Sequence, residues 1–351
     1  DVYVTINDVA MPTSSANLYH YQAYLSLLFD SSPEAKATTL KEHSLIIPKK
    51  LGYHNDLDTR PAGGNDSLAF LYSKCKDSKL VRTISPLVGT VGSFTRALPP
   101  STKISITFVR QRPSVYLMST DPNDAKHYEL VFKSASLLVK NIELAPESLT
   151  AYNLLLNRGT LSFPYNARQM SNHEIPVSTT NFDVTIGSPN TPLPSLIYFG
   201  IVSQKSFLGS YSDSAFNFVL GGLRNIKIKE ANQTISQEIE LYQPAENIDT
   251  DLNPISFLST TTSLSYNQWM QSGTKFDVNS FKNGYGIIRL DLSRANVHDI
   301  PDPLLRSVPR LGPITLSLEW SQKTKEPFVL ILCEHYDKNI NIDKSRDVTY
   351  S

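Results

Sequence analysis

Apolar and polar side chains alternate one by one over many short stretches of this chain, the period of a half-buried strand rather than of a helix. Val2, Val4 and Ile6 share one face of DVYVTIND. Ile104, Ile106 and Phe108 alternate with Ser105 and Thr107, and Ile314, Leu316 and Leu318 with Thr315 and Ser317. The same pattern, or a short apolar run, predicts strands over 128–144, 182–186, 196–202, 226–229, 286–292 and 328–333. Helical spacing stands out in NLYHYQAYLSLLF, where Tyr21, Tyr24, Leu25 and Leu28 fall on one face and open a loop excursion.

One phrase comes twice. LPPSTKISITFVRQRPSVYLM (98–118) and LGPITLSLEWSQKTKEPFVLIL (311–332) each run through an alternating strand, a polar turn, a proline and a second apolar run. Pro113 precedes Val115 and Leu117; Pro327 precedes Val329 and Ile331. Proline can open a strand but cannot continue a ladder, so each copy predicts a strand, a turn and a second strand. The separation is too large for a solenoid or propeller, so a true repeat implies two related domains. The other reading is that two hairpins of an all-β chain look alike by chance.

Long polar stretches such as GYHNDLDTRPAGGND and QPAENIDTDLNPISFLSTTTS separate the strands, and 22 prolines stand against 15 glycines. Strands joined by long stiff loops describe β-sandwiches, and among them jelly rolls. At 351 residues the chain is comfortable for two sandwiches in tandem. The turn formers Pro122, Asn123 and Asp124 in STDPNDAKH put the boundary there, with domains over 1–122 and 123–351.

Charge narrows the partners. Lys+Arg and Asp+Glu are both 33, and the longest basic run is Lys49-Lys50, so nothing basic enough to coat nucleic acid is present. A neutral surface offers little resistance to dense packing of copies. Cys75 and Cys333 are too few for a disulfide scaffold and lack zinc spacing. Sequons at Asn65 and Asn232 carry meaning only on a secretory route. No run of eighteen apolar residues predicts a membrane span. Because Asp1 already lies in a strand, the chain is expected to be part of a longer protein.

Candidate chemistry is sparse. Asp249, Asp251 and Asn253 have calcium-loop spacing, but Pro254 replaces the glycine and Thr260 the closing Glu. Glu334, His335, Asp337, Asp343 and Asp347 alternate along a strand and read as a charged, solvated strand edge rather than a metal site. GTVGS at 89–93 lacks the lysine and helix of a phosphate loop, and there is no G-x-S-x-G elbow. His43, His127, His173 and His298 are scattered without ligand spacing. No catalytic residue, cofactor or metal ligand is therefore assigned. KSFLGSYSDSAFNF is the most distinctive stretch: Phe207, Tyr211, Phe216 and Phe218 surround Gly209. They read as anchors of a loop on the core with Gly209 at a tight turn, or as the lining of a subunit contact.

ELVFKSASLLVKNIELAPES, FLGSYSDSAFNF, NGYGIIRLDLS and FVLILCEHYDKNINIDKSRDV follow one another in an order that resembles the double jelly-roll, hexon-like major capsid proteins of Polinton (Maverick) elements and adintoviruses. Two departures stand out: the family loop reads Phe-Asn-Gly-Ser-Tyr and Pro-Phe-Asn-Phe, where this chain has Leu208 and Ala215. The resemblance implies an all-β fold of two tandem jelly rolls, the first without its opening strands, with a few short helices. It marks Phe207, Gly209, Tyr211, Phe216, Asn217, Phe218, Asn283, Gly284, Tyr285, Asp291, Asp343, Arg346 and Asp347 as family-like structural positions. It also implies a homotrimeric capsomer with a penton or minor capsid protein as partner, a place in the virion after assembly in the host nucleus or cytoplasm, and no catalysis. The twice-used phrase would then be the corresponding strand pair of each roll. The rival readings are a carbohydrate-binding or glycoside-cleaving sandwich, with an exposed Tyr or Trp row and a carboxylate pair, and a domesticated relic of a capsid gene.

Overall fold

The computed structural model describes residues 1–12, 18–32, 34–35, 38, 54–57, 66–85, 87–89, 92, 94, 96–121, 123, 128–230, 237–242, 278–292 and 311–351. In chain order the elements are β1 (Val2–Ile6), β2 (Val9–Ala10), α1 (Tyr19–Phe29), α2 (Asp66–Cys75), β3 (Ile104–Phe108), α3 (Pro113–Tyr116), α4 (Pro146–Arg158), β4 (Leu161–Ile175), β5 (Asn181–Ile186) and β6 (Leu196–Ser203). They continue with α5 (Gln204–Leu208), β7 (Phe218–Val219), β8 (Leu223–Glu230), β9 (Gln237–Glu240), α6 (Val278–Lys282), β10 (Asn283–Gly284), β11 (Ile287–Asp291), β12 (Ile314–Trp320), β13 (Phe328–Ile342) and β14 (Val348–Tyr350).

Eight of these strands pair in a nested order. β4 pairs β13, β5 pairs β12, β6 pairs β11 and β8 pairs β9, every pair antiparallel. β6 also pairs β13, and β8 pairs β12, so the nest closes into two sheets, β4-β13-β6-β11 and β5-β12-β8-β9. First with last, second with second-last, split over two facing sheets, is the connectivity of a jelly roll. Inward residues of both sheets fill one core: Ile314, Leu316, Leu318 and Trp320 from β12, Ile226 and Ile228 from β8, Ile197, Phe199 and Ile201 from β6, and Phe328, Leu330 and Leu332 from β13. The continuous run LIYFGIV makes β6 buried on both faces, because a second layer covers its outer side.

The β4–β13 ladder is longer than the roll needs. It runs without a register break from Phe328 opposite Ile175 to Ile342 opposite Leu161. Near the first end its inward residues belong to the roll core. Toward the second end Phe163, Tyr165, Ala167, Ile340 and Ile342 pack instead on Val4 and Ile6 of the β2-β1-β3 sheet and on Met11 just past β2. Alternation keeps these residues on one side of the ladder, so one sheet serves as floor to two β layers side by side. Asn7 joins them: its side-chain amide donates to the Arg346 carbonyl at 2.8 Å, while its Oδ1 accepts from the Lys103 backbone N–H at 2.8 Å.

Four sequence expectations are corrected. Pro113 opens helix α3 rather than a strand, since proline is well placed in a first helical turn and Arg112 before it is extended. The second copy of the phrase is two strands but not a hairpin, because β12 and β13 lie in opposite sheets. Residues 128–144 form no strand, and the helix α4 follows them. Glu334–Ile342 is no solvated edge: β13 is paired on both sides over most of its length, and His335 is buried. Conversely the sequence pattern does not predict β4, where Pro164 interrupts it; the strand tolerates that proline because, among the described residues, it pairs with β13 alone. No helix among the described residues is long and apolar enough to cross a membrane.

Candidate functional site: an aromatic cap on the outer sheet

Two distant family-like phrases meet on the outer side of β6. β10 pairs β7, placing Asn283 opposite Val219 and Gly284 opposite Phe218, and Tyr285 bridges to Phe218. The Phe218 carbonyl accepts from the Gly286 backbone N–H at 3.0 Å, and Asn217 N–H donates to the Ser214 carbonyl at 3.2 Å. Helix α1 lies over this ladder. Tyr24 stacks on Phe216 with ring centres 4.6 Å apart, Tyr21 lies parallel to Phe207 at 6.4 Å, and Tyr21 meets Phe218 edge-on at 5.8 Å. His54 packs on Tyr285 at 4.5 Å, with Nε2 3.5 Å from the Tyr24 hydroxyl. The cap is thus a rigid aromatic cluster whose members come from four separate segments.

Its titration follows from dryness. Burial pushes His20 and His54 down to about 4, so both are neutral at pH 7. Burial, with Tyr285 alongside, raises the Tyr24 phenol well above its ordinary value. At the loop tip Asp213 is a polar counterpart: it accepts from Ser212 Oγ at 2.7 Å and Ser210 Oγ at 2.9 Å, and pairs with Lys205 at 2.6 Å. Burial works to raise this carboxyl, but the hydrogen bonds from Lys205, Ser212 and Ser210 outweigh it and hold the group below its ordinary value.

Gly209 is the hinge between this loop and the N-terminal half. It ends α5 at φ +98°, a left-handed conformation, and a Cβ there would run into the Ser114 side chain and Val115 of α3. The Tyr211 carbonyl accepts from Ser119 N–H at 2.8 Å a few residues on. Gly209→Ala is expected to destabilise the chain by about 1–3 kcal/mol through strain and overlap together. Urea denaturation of Gly209→Ala with and without Ser114→Gly separates the two: Ser114→Gly restores only the part due to overlap, and full recovery would refute the strain.

The structure brings Phe207, Gly209, Tyr211, Phe216, Asn217, Phe218, Asn283, Gly284 and Tyr285 together, but not the other marked positions. Asp291 ends β11 opposite Leu196. Asp343, Arg346 and Asp347 form the β13–β14 turn, where Asp343 Oδ1 accepts from Asp347 N–H at 2.9 Å and Arg346 takes φ +69°. Of the departures, Ala215 is buried in the cap and Leu208 is exposed.

Sequence reasoning missed a second polar element beneath the cap. Arg289, 1% exposed in the middle of β11, lies with its guanidinium 5.9 Å from the centre of the Tyr198 ring. Asp30, just beyond α1, pairs with Arg168 of β4 at 2.6 Å. Burial, with the Asp30 charge nearby, raises the Tyr198 phenol against the opposing pull of Arg289 and Arg168. Cys333 below them is pushed up to about 12 by burial, a protonated and unreactive thiol. The available signal was the single arginine inside the apolar run GIIRLDL.

No known family profile matches the chain, and no curated protein does. Among solved structures it is similar to a chain in the 3.5 Å cryo-EM structure of the Sputnik virophage, with 12% identity and a TM-score of 0.46 over all of this chain and 73% of that one. It is similar also to the mavirus major capsid protein in its crystal structure, at 10% identity and a TM-score of 0.26, over 54% of this chain and 41% of that one. A chain of the PBCV-1 virus capsid matches at 8% identity and a TM-score of 0.31, over 55% and 52% of the two chains. Likenesses this faint assign no function, and the jelly roll rests on its own strand order.

Among the described residues no group of three or more His, Cys, Asp or Glu is placed to hold a metal. Trp320 is buried in the roll core. Trp269, the 249–260 acidic stretch, His43, His127 and His298 lie outside the described residues.

Proposed function

We propose that this chain is a structural, hexon-like capsid subunit, working through shape and buried area rather than catalysis. The observation that carries the reading is the overlong β4–β13 ladder, which serves as floor to a complete jelly roll and to a second β layer beside it. In this reading the β2-β1-β3 sheet belongs to the first roll, residues 1–122, and residues 123–351 form the second. The aromatic cap supports it further: cap and roll core fill both sides of β6 with packed side chains, a sheet built as the middle layer of a solid block. The order of the family-like phrases extends the reading to the Polinton and adintovirus lineage, a place in the virion, and a minor capsid protein at the vertices.

A subunit of two rolls side by side forms, as a trimer, six sandwiches around a three-fold axis, an outline that tiles icosahedral facets. Light scattering of the full chain followed by electron microscopy tests this. The expected result is a trimer with a pseudo-hexagonal outline. A chain that stays monomeric at high concentration would refute it.

A further inference from the structure

Residues 128–144 have a strand's sequence and none of its bonds. Leu130, Phe132, Leu138, Ile142 and Leu144 occupy one alternating set of positions, yet all are exposed, Phe132 at 72% and Leu138 at 78%. Among the described residues the segment makes no backbone-to-backbone hydrogen bond; its base is held where Arg110, just past β3, donates to the Leu130 carbonyl at 2.5 Å. Helix α4 continues the arm, with Leu149, Leu154 and Leu155 exposed as well. Main-chain donors and acceptors without ladder bonds, beside exposed apolar side chains on both faces, are what an added strand satisfies.

The geometry points to a second copy of the same segment as that strand, paired antiparallel about a two-fold axis at Leu138. Charge selects the partner and the register. The arm carries Glu129, Lys133, Lys140 and Glu143, a balanced set. With Leu138 opposite its own copy, Lys133 faces Glu143 twice, Phe132 faces Leu144 twice and Leu137 faces Val139 twice. Sliding the register by two residues either way removes both ion pairs and puts a charged side chain opposite an apolar one. Directly opposed residues are the ones whose side chains interact across an antiparallel pair, and a two-fold contact must be self-complementary in this way. This pairing needs no three-fold contact, so it stands apart from the trimer.

The test uses the full chain with the exposed Cys75 changed to Ser; Cys333 is buried. Leu138→Cys should give a disulfide-linked dimer under mild oxidation, because opposed Cβ atoms lie within about 5 Å. Val131→Cys should not link to itself, since Ala145 faces it, but a mixture of Val131→Cys and Ala145→Cys should link. Lys133→Glu should weaken dimerisation by roughly tenfold in sedimentation, and adding Glu143→Lys should restore it. Urea midpoints should be unchanged in all variants, because the arm lies outside the cores. Failure of Leu138→Cys to link, or a Lys133→Glu variant that associates like the parent, overturns the pairing; if such a protein is still trimeric, the capsid reading survives. Linkage at 138 in a protein that never exceeds a dimer keeps the pairing and removes the trimer.

Discussion

Lowering the pH from 7 to 5 is expected to destabilise the fold by about 4 kcal/mol through two histidines. His20 and His54 sit near 4 in the folded chain because burial disfavours their charged form, against about 6.5 when unfolded. A histidine depressed in this way contributes its full stability above 6.5. Between 6.5 and 4 the unfolded chain takes up protons that the folded chain refuses, and stability falls with pH at up to about 1.4 kcal/mol per pH unit for each ring. At pH 5 that is about 2 kcal/mol apiece, a large part of the 5–15 kcal/mol of an ordinary domain. His20 belongs to α1 and packs on Tyr21 and Phe216, and His54 packs on Tyr24 of α1 and on Tyr285, so the first event is the lifting of α1. Urea midpoints at the two pH values, with hydrogen exchange across α1, measure it. The His20→Gln, His54→Gln double variant should lose most of the dependence; if it keeps the whole of it, other groups are responsible.

Phe218→Ala is expected to be among the costliest single substitutions, at about 3–5 kcal/mol. The ring is fully buried, centred 6.1 Å from Tyr24, and lies so close to β6 that a Cβ at Gly200 would stand 2.5 Å from its Cδ1. Gly200→Ala alone should therefore cost about 1–3 kcal/mol by displacing the ring. Beside Phe218→Ala the added methyl enters the vacated space and should cost little. Denaturation midpoints of the four proteins give the coupling, and additive costs would show that the ring does not press on Gly200.

How much of this was legible in the sequence depended on whether a signal was local. β12 alternates in sequence because one face is core and the other carries the polar Thr315, Ser317 and Glu319, and β6 reads as an unbroken apolar run because it is covered twice. Both were predicted, and so was α1. The failures share a cause: the sequence pattern tells which face is apolar, not whether a neighbour is present. Residues 128–144 alternate like a strand and have no ladder. Glu334 to Ile342 looked too polar for a central strand, yet β4 and, at its two ends, β6 and β14 hold it from both sides. The site followed the same division. The aromatics of 207–218 could be seen as anchors, but their ladder with Asn283 and Gly284 depends on a register between segments far apart in the chain. His20, His54 and Arg289 took their character from burial that only the assembled layers create.

The nested pairing also sets an order of events during synthesis. β8 and β9, the innermost pair, are neighbours in the chain and can zip while the ribosome is still at work, whereas β4 must wait for β13, more than 150 residues later. Until then the β2-β1-β3 sheet, translated before both strands, has no ladder to rest on, and its apolar side stays open to water. From β3 until β13 emerges, the nascent polypeptide thus carries this layer unsheltered. Slowing translation beyond β12 should make it more dependent on chaperones and more prone to aggregate, whereas a pause after β13 should leave it untouched.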